Sequence, residues 1–376
     1  MSNGVAKPSL LDRVGRIAPG VPELARYQVG DLRHDLAAGL SVAAVALPVG
    51  VAYAQLAGFE PVVGLYASIL PLLAYALFGT SRQLIVGPDA ATCALIAAAI
   101  APLAGGDSQL YLTLSALLAV FAGIFCIAAS FLRLGALADF LSKPILVGFL
   151  NGISISIALG QAGKLFGFET SEKGILPRLF EIVSKLGETH WRTFAVALLT
   201  LAVLLIWPRL TRRLPADLVA MVVAGAAVAF LGLDNLGVAT IGAVPAGLPA
   251  LGLPTAMLAQ VGPVLPELLA AAAGLALVSF SSAMLTARSF AAKNHYDIDV
   301  DREFAALGAA NITSAFSQGF AISGADSRTA MSDATGGRTR LAGVLAAGAV
   351  ALVLLFLTEP LQYVPVAALG AVLIMA

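Results

Sequence analysis

Runs of apolar residues of bilayer length constrain this chain more than any other feature. The stretches 193–207, with its flanks, 218–231 and 341–357 approach or reach the about 20 residues that a spanning helix needs. Only 12% of the 376 residues are charged, against about 25% in a soluble domain. The expected class is an all-α polytopic membrane protein. The formal net charge is zero, so nucleic acid is not an expected partner. Cys93 and Cys126 sit in apolar runs and read as buried, inert thiols. Residues 1–34 are polar and basic and lack a signal-peptide apolar region, so the first span is expected to direct insertion.

The spans read as 36–57, 61–78, a half-helix 89–103, 110–132, 144–161, 191–207, 216–232, 266–291, 302–317, a half-helix 326–335, 340–357 and an apolar tail 364–376. Short strands at 83–87 and 319–323 are expected to precede the two half-helices, segments three and ten. Lys and Arg fall on one side of this scheme, at Arg82, Arg133, Lys143, Arg209, Arg212, Arg213, Arg288, Lys293, Arg302, Arg338 and Arg340. The loops 104–109, 233–265 and 358–363 contain none. This asymmetry places the N-terminus in the cytoplasm. The loop 162–190 breaks the pattern with Lys164, Lys173, Arg178 and Lys185 balanced by four glutamates, and part of it reads as a helix lying on the outer surface.

Two short stretches match each other. Gly87-Pro88-Asp89-Ala90-Ala91-Thr92 and Gly324-Ala325-Asp326-Ser327-Arg328-Thr329 both read G-x-D-x-x-T, and both follow a short apolar run. In the topology above they point in opposite directions, the signature of inverted repeats whose broken helices meet near the bilayer midplane.

Longer motifs carry a resemblance. Ala38-Gly39-Leu40, Leu47-Pro48-Val49-Gly50-Val51-Ala52-Tyr53-Ala54, Gly64-Leu65-Tyr66-Ala67-Ser68, Phe78-Gly79-Thr80-Ser81-Arg82 and Val86-Gly87-Pro88 follow one another in order. Further on come Ser142-Lys143-Pro144, Gly148-Phe149, Ala306-Leu307-Gly308 with Asn311, and Ser327-Arg328. From about residue 31 onward the chain resembles the sulfate permease family of anion transporters, relatives of pendrin and prestin. The resemblance implies fourteen segments in two inverted sevens. It implies a first repeat over 35–232, an extracellular linker over 233–265 and a second repeat from 266. It also implies a core of segments 1–4 and 8–11, a gate of segments 5–7 and 12 onward, a cytoplasmic STAS domain and a homodimer. Segments 13 and 14 and the STAS domain are not in this chain, which is expected to be partial. The implied anion site falls on Val49, Tyr53, Asp89, Ala90, Ala325, Asp326, Ser327 and Arg328, with Ser282 from segment eight. Many members carry Gln where Val49 stands, an acidic residue at Ser282 and an apolar residue at Asp326.

The residues themselves suit an anion. Half-helix N-termini offer free N–H groups and a partial positive charge, worth about 0.3–1 kcal/mol each and up to ~2 when partly buried. That falls short of the several kcal/mol needed to strip water from an ion, so Arg328 is the expected supplement. An Arg at mid-membrane costs about 2.5–3.5 kcal/mol on insertion scales and asks for a reason; pairing with Asp326 or a helix carbonyl is the bland one. Three roles stay open for Asp89 and Asp326. Each can cap its half-helix, one can carry a coupling proton, or the pair can hold Na⁺. Ser327 and Tyr53 can donate hydroxyls.

The leading expectation is a proton-coupled secondary transporter of a small anion, a carboxylate or dicarboxylate, sulfate or bicarbonate. It would sit in the cell's inner membrane and need neither cofactor nor metal. An exchanger, an anion channel or motor, and a nucleobase carrier of the same fold are alternatives. An intramembrane aspartyl protease is a remote one, since both aspartates sit at half-helix starts and Gly-x-Gly-Asp is absent.

Overall fold

The computed structural model describes residues 14–375 except 16, 136–142, 171, 173, 212–213 and 256. Lys7, Arg13, Arg16, Ser142, Lys173, Arg212 and Arg213 therefore lie outside the described residues, as do positions 1–13 of the N-terminal basic segment.

Among the described residues, twelve segments follow one another. They are α1 (Leu32–Leu56), α2 in two arms (Pro61–Tyr66 and Leu70–Phe78), α3 (Ala90–Ala104), α4 (Ser108–Phe131), α5 (Lys143–Phe166) and α6 (Trp191–Leu210). Then come α7 (Ala216–Leu231), α8 (Leu265–Lys293), α9 (Val300–Phe316), α10 (Asp326–Ala334), α11 (Leu341–Phe356) and α12 (Val366–Met375). Among the described residues, five helical stretches are long and apolar enough to cross a membrane: 29–56, 61–78, 108–131, 191–210 and 262–293. The second segment spans 61–78 as expected, with its helix interrupted over 67–69. The next arm restarts with Pro71 in its first turn, where a missing N–H costs nothing. The helix Ile175–Ser184 forms where the outer-surface helix is expected, and Leu176, Phe180 and Val183 are exposed along it.

The ends of the bundle sort as the charges do. At the basic end, buried Asp35 in the first turn of α1 accepts hydrogen bonds from the Arg338 and Thr339 backbones (2.8 and 3.0 Å) and the Thr339 hydroxyl (2.7 Å). Buried Glu303 in the first turn of α9 accepts from Tyr75 Oη (2.6 Å), the Thr80 backbone and hydroxyl, and the Ser81 backbone (2.9 Å). Each carboxylate thus fastens a loop of the other half of the chain. At the opposite end the linker crosses the ends of α9, α11 and α12: Gly252 donates to Phe316, Gly247 to Leu354 and Ile241 to Val364.

Packing follows small residues. A Cβ added at Gly123 of α4 would lie 2.7 Å from the Gly308 carbonyl of α9, and one at Gly308 would lie 2.6 Å from that of Gly123. The two backbones touch, as small residues allow between membrane helices. The helices α1, α2, α4, α8, α9 and α11 pack together, while α5, α6, α7 and α12 form a second group that meets the first through α1 and α3.

At the centre lie two antiparallel strands, β1 (Val86–Gly87) and β2 (Ser323–Gly324), shorter than the sequence suggests. Val86 pairs with Gly324 and Gly87 with Ser323. The shift of 237 positions that takes Gly87 to Gly324, Asp89 to Asp326 and Thr92 to Thr329 also takes Val86 to Ser323. The repeat's pseudo-two-fold axis therefore passes through this pair. The half-helices α3 and α10 start beside it and run to opposite ends of the bundle. The fold is that of two inverted repeats, each with a broken helix led by a short strand.

Candidate functional site

Non-helical backbone in a bilayer must find its hydrogen-bond partners within the protein, and the approach to each half-helix shows how. On the β1 side, Ile85 N–H donates to the Thr329 hydroxyl (3.0 Å) and Ile85 C=O accepts from Ala325 N–H (2.8 Å). The two-fold mates of these donors and acceptors would be Thr92 and Pro88 serving Ile322. Neither serves it. Pro88 has no N–H, and the Thr92 hydroxyl points to Asp89 (2.9 Å to Oδ1). Asn311 of α9 takes over both tasks, with Oδ1 accepting from Ile322 N–H (2.9 Å) and Nδ2 donating to Ile322 C=O (3.1 Å). Ser279 Oγ adds a second donor to that carbonyl (2.8 Å).

The two aspartates differ for the same reason. Asp89 is the N-cap of α3, and its Oδ1 accepts from Thr92 N–H at 2.7 Å. Its Oδ2 is buried with no hydrogen-bond partner among the described residues; the nearby Ser323 hydroxyl gives its one proton to the Ser279 carbonyl (2.8 Å). Asp326 does not take the capping role that was left open for it. Ala325 is the N-cap of α10, with no side-chain bond. Asp326 is already helical and exposed, and its Oδ1 accepts from the Thr286 hydroxyl of α8. The helix starts one residue earlier because Ala325, held by its bond to Ile85, supplies the first carbonyl, to Thr329 N–H (2.9 Å).

Arg328 is the largest fully buried side chain, 1% exposed. It does not pair with Asp326. It crosses to the other repeat, where one guanidinium nitrogen donates to the Pro88 carbonyl. Its Nε and Nη1 are buried with no partner among the described residues. Gly87 makes the crossing possible: its φ is +153°, and a Cβ there would lie 2.6 Å from Nη1. Tyr53, Asp89 and Arg328 are within electrostatic reach of one another.

The remaining expected residues are placed as follows. Val49 and Tyr53 are buried on α1 (1% and 8% exposed), a helix packed against both α3 and α10. Ala90 is half-buried in the first turn of α3, Ala325 is buried and Ser327 is exposed at the start of α10. Ser282 is buried on α8, one turn before Thr286. The N–H groups of Ala90 and Ala91, and of Asp326, Ser327 and Arg328, precede the first intrahelical bond of their helices. Thus α1, α3, α8 and α10 bring the sequence candidates to the meeting point of the repeats. The sequence reading gave no role to Asp35 or Glu303, and Asn311 was visible only as a motif letter; the two carboxylates hold loops 222 to 304 positions away. No group of three or more metal-ligating side chains occurs among the described residues. Cys93 and Cys126 are free and buried.

Comparison with known proteins decides the lineage. A model of the sulfate permease family matches residues 32–376. The chain belongs to the sulfate permease family. Among its curated relatives, a probable sulfate transporter of Mycobacterium tuberculosis H37Rv is 40% identical over 359 residues, covering 96% of this chain and 63% of the relative. The chloroplastic sulfate transporter 4.1 of Arabidopsis thaliana is 29% identical over 382 residues, covering 99% of this chain and 55% of the relative. The chain thus spans between half and two thirds of the length of these relatives. The overall structure of SLC26A9 is similar with a TM-score of 0.88 at 26% identity, over 96% of this chain and 60% of that one. The transmembrane domain of a cyanobacterial bicarbonate transporter, BicA, gives a TM-score of 0.83 at 26% identity, over 93% of this chain and 89% of that domain. Within the sulfate permease family this chain is thus a multi-pass integral membrane protein.

Proposed function

We propose that the protein is a secondary active transporter of a small oxyanion, bound where α3 and α10 point their N-termini at each other, and that protons are cotransported. One observation carries this reading: Arg328 is fully buried, and two of its guanidinium nitrogens have no acceptor. A buried charge without a partner is costly, and an anion is the partner such a site completes with. The free N–H groups of both helix starts add to its field. Val49 and Tyr53 of α1, Ala90 of α3, Ser282 of α8, and Ala325 and Ser327 of α10 then line the site.

Asp89 is the coupling residue in this reading, because its buried Oδ2 has no donor and a proton there removes a charge that would repel the anion. Asp326 is exposed and engaged by Thr286, and acts on the field only. Transport proceeds by movement of the group α1–α4 with α8–α11 against α5–α7 with α12, a division supported by the packing. The N-terminus is cytoplasmic, the basic end faces inward, the membrane is the cell's inner membrane and the working unit is a homodimer. Its similarity to a probable sulfate transporter and to a bicarbonate transporter favours sulfate or bicarbonate; the neutralisable carboxylate at the site favours a carboxylate or dicarboxylate.

The test is uptake of labelled sulfate, bicarbonate and fumarate into proteoliposomes, with and without an inward proton gradient. Uptake of one anion that rises with the gradient and disappears in Arg328→Ala is the expected result. Uptake indifferent to the proton gradient would replace symport with exchange or channel behaviour.

A further inference from the structure

A cavity of about 420 Å³ lies between α1 and α7. Its walls are almost wholly apolar, with Pro48 and Val51 from α1 and Met221, Gly225 and Ala226 from α7. The volume falls in the about 300–1,000 Å³ range of small-molecule sites. Its shape is a cleft: the lining residues on α7 run from Leu218 to Ala229, on the order of 16 Å at 1.5 Å per residue. One charged group stands in the lining, Glu359 in the loop before α12. That carboxylate is exposed and has no hydrogen-bond or ion-pair partner among the described residues. Its own loop, 358–363, and the linker 233–265 contain no Lys or Arg to neutralise it.

A long apolar slot ending at an unpaired carboxylate matches one chemistry. We infer that the cleft binds an alkylammonium amphiphile, with its chain along α7 and its ammonium on Glu359. Residues 48 and 51 lie on either side of Val49 and Gly50, on the one helix that packs against α3, α7 and α10 alike. An occupied cleft therefore pins α1 to α7 and arrests transport. This consequence rests on the proposed movement between the two helix groups; the binding does not.

The experiment uses dodecylammonium as the probe, with dodecyl sulfate and dodecanol as chain-matched controls. Anion uptake is measured in proteoliposomes. Separately, the rate at which an impermeant maleimide modifies an Ala229→Cys variant, at the outer end of the cleft, is followed by mass spectrometry. Dodecylammonium should inhibit uptake and slow the modification at concentrations where the controls do neither. Glu359→Gln should raise both half-effect concentrations about tenfold, which is about 1.4 kcal/mol. Gly225→Leu, whose Cβ meets nothing closer than the Tyr363 carbonyl at 3.8 Å, should fill the slot and abolish both effects. Protection without inhibition would confirm the site and refute the moving-group reading. Equal effects of the three amphiphiles, or sensitivity unchanged in both Glu359→Gln and Gly225→Leu, would overturn the inference.

Discussion

The two G-x-D-x-x-T turns share their letters and a two-fold axis, yet they are chemically unlike. Asp89 caps a helix and holds Thr92; Asp326 lies within a helix and holds Thr286 of a third one. The variable positions explain the split. Pro88 withholds a backbone donor that its mate Ala325 supplies, so Asn311 and Ser279 must serve Ile322. Arg328 has Ala91 as its mate, so a single cation serves both halves and reaches across to Pro88 to do so. Inverted repeats thus supply a symmetric frame, and the site's charge is placed on one side of it.

The sharpest way to break this comparison is to move the charge. Arg328→Ala should reduce anion uptake to background. Adding Ala91→Arg should not restore it, because the mate of the space over Gly87 is closed: a Cβ at Gly324 would already lie 2.7 Å from the Ala283 backbone. Restored uptake in the double variant would mean that the halves are interchangeable. Gly87→Ala should come next, with uptake strongly reduced, since the new methyl group displaces the guanidinium and strains a positive φ. The observable is the initial rate at fixed anion, with Gly87→Ser as a second strained variant.

Asn311→Ala should lower thermal stability, by about 1–3 kcal/mol for leaving a buried donor unpaired. Ser279→Ala should cost less, because the Ile322 carbonyl keeps Asn311. A reversal of that order in thermal unfolding of the purified protein would remove Asn311 from its proposed place. The aspartates provide the finest contrast. Asp89→Asn keeps a capping oxygen of similar quality, so stability should move by less than about 1 kcal/mol while stimulation by an inward proton gradient is lost. Asp326→Asn should retain that stimulation. Loss in Asp326→Asn alone would transfer the coupling role to α10.

Much of the frame was legible because it follows from periodicity and charge. Apolar run length gave the spans, the Lys and Arg distribution gave two unlike ends, and the repeated motif marked both half-helices. The family resemblance carried the candidate residues to four helices that do converge. The interruption of α2 was marked only by Pro71, whose missing N–H an unbroken helix would have needed. The caps were half legible. A motif letter Asp before a helix suggests a cap at both sites, but whether it becomes one depends on whether the preceding residue can donate to a strand from the other half of the chain.

The sequence by itself determined the solvent, where the apolar spans fall, and the need of a mid-membrane Arg for company. These rest on hydrophobic length and formal charge, which local composition carries. Only the tertiary structure decided which aspartate caps, that Arg328 turns to Pro88 rather than to Asp326, and that Asn311 completes a strand it does not belong to. Those outcomes depend on which donors and acceptors remain once two distant segments pair, and in a medium without water each one left over must be met by whatever side chain packing has brought within reach.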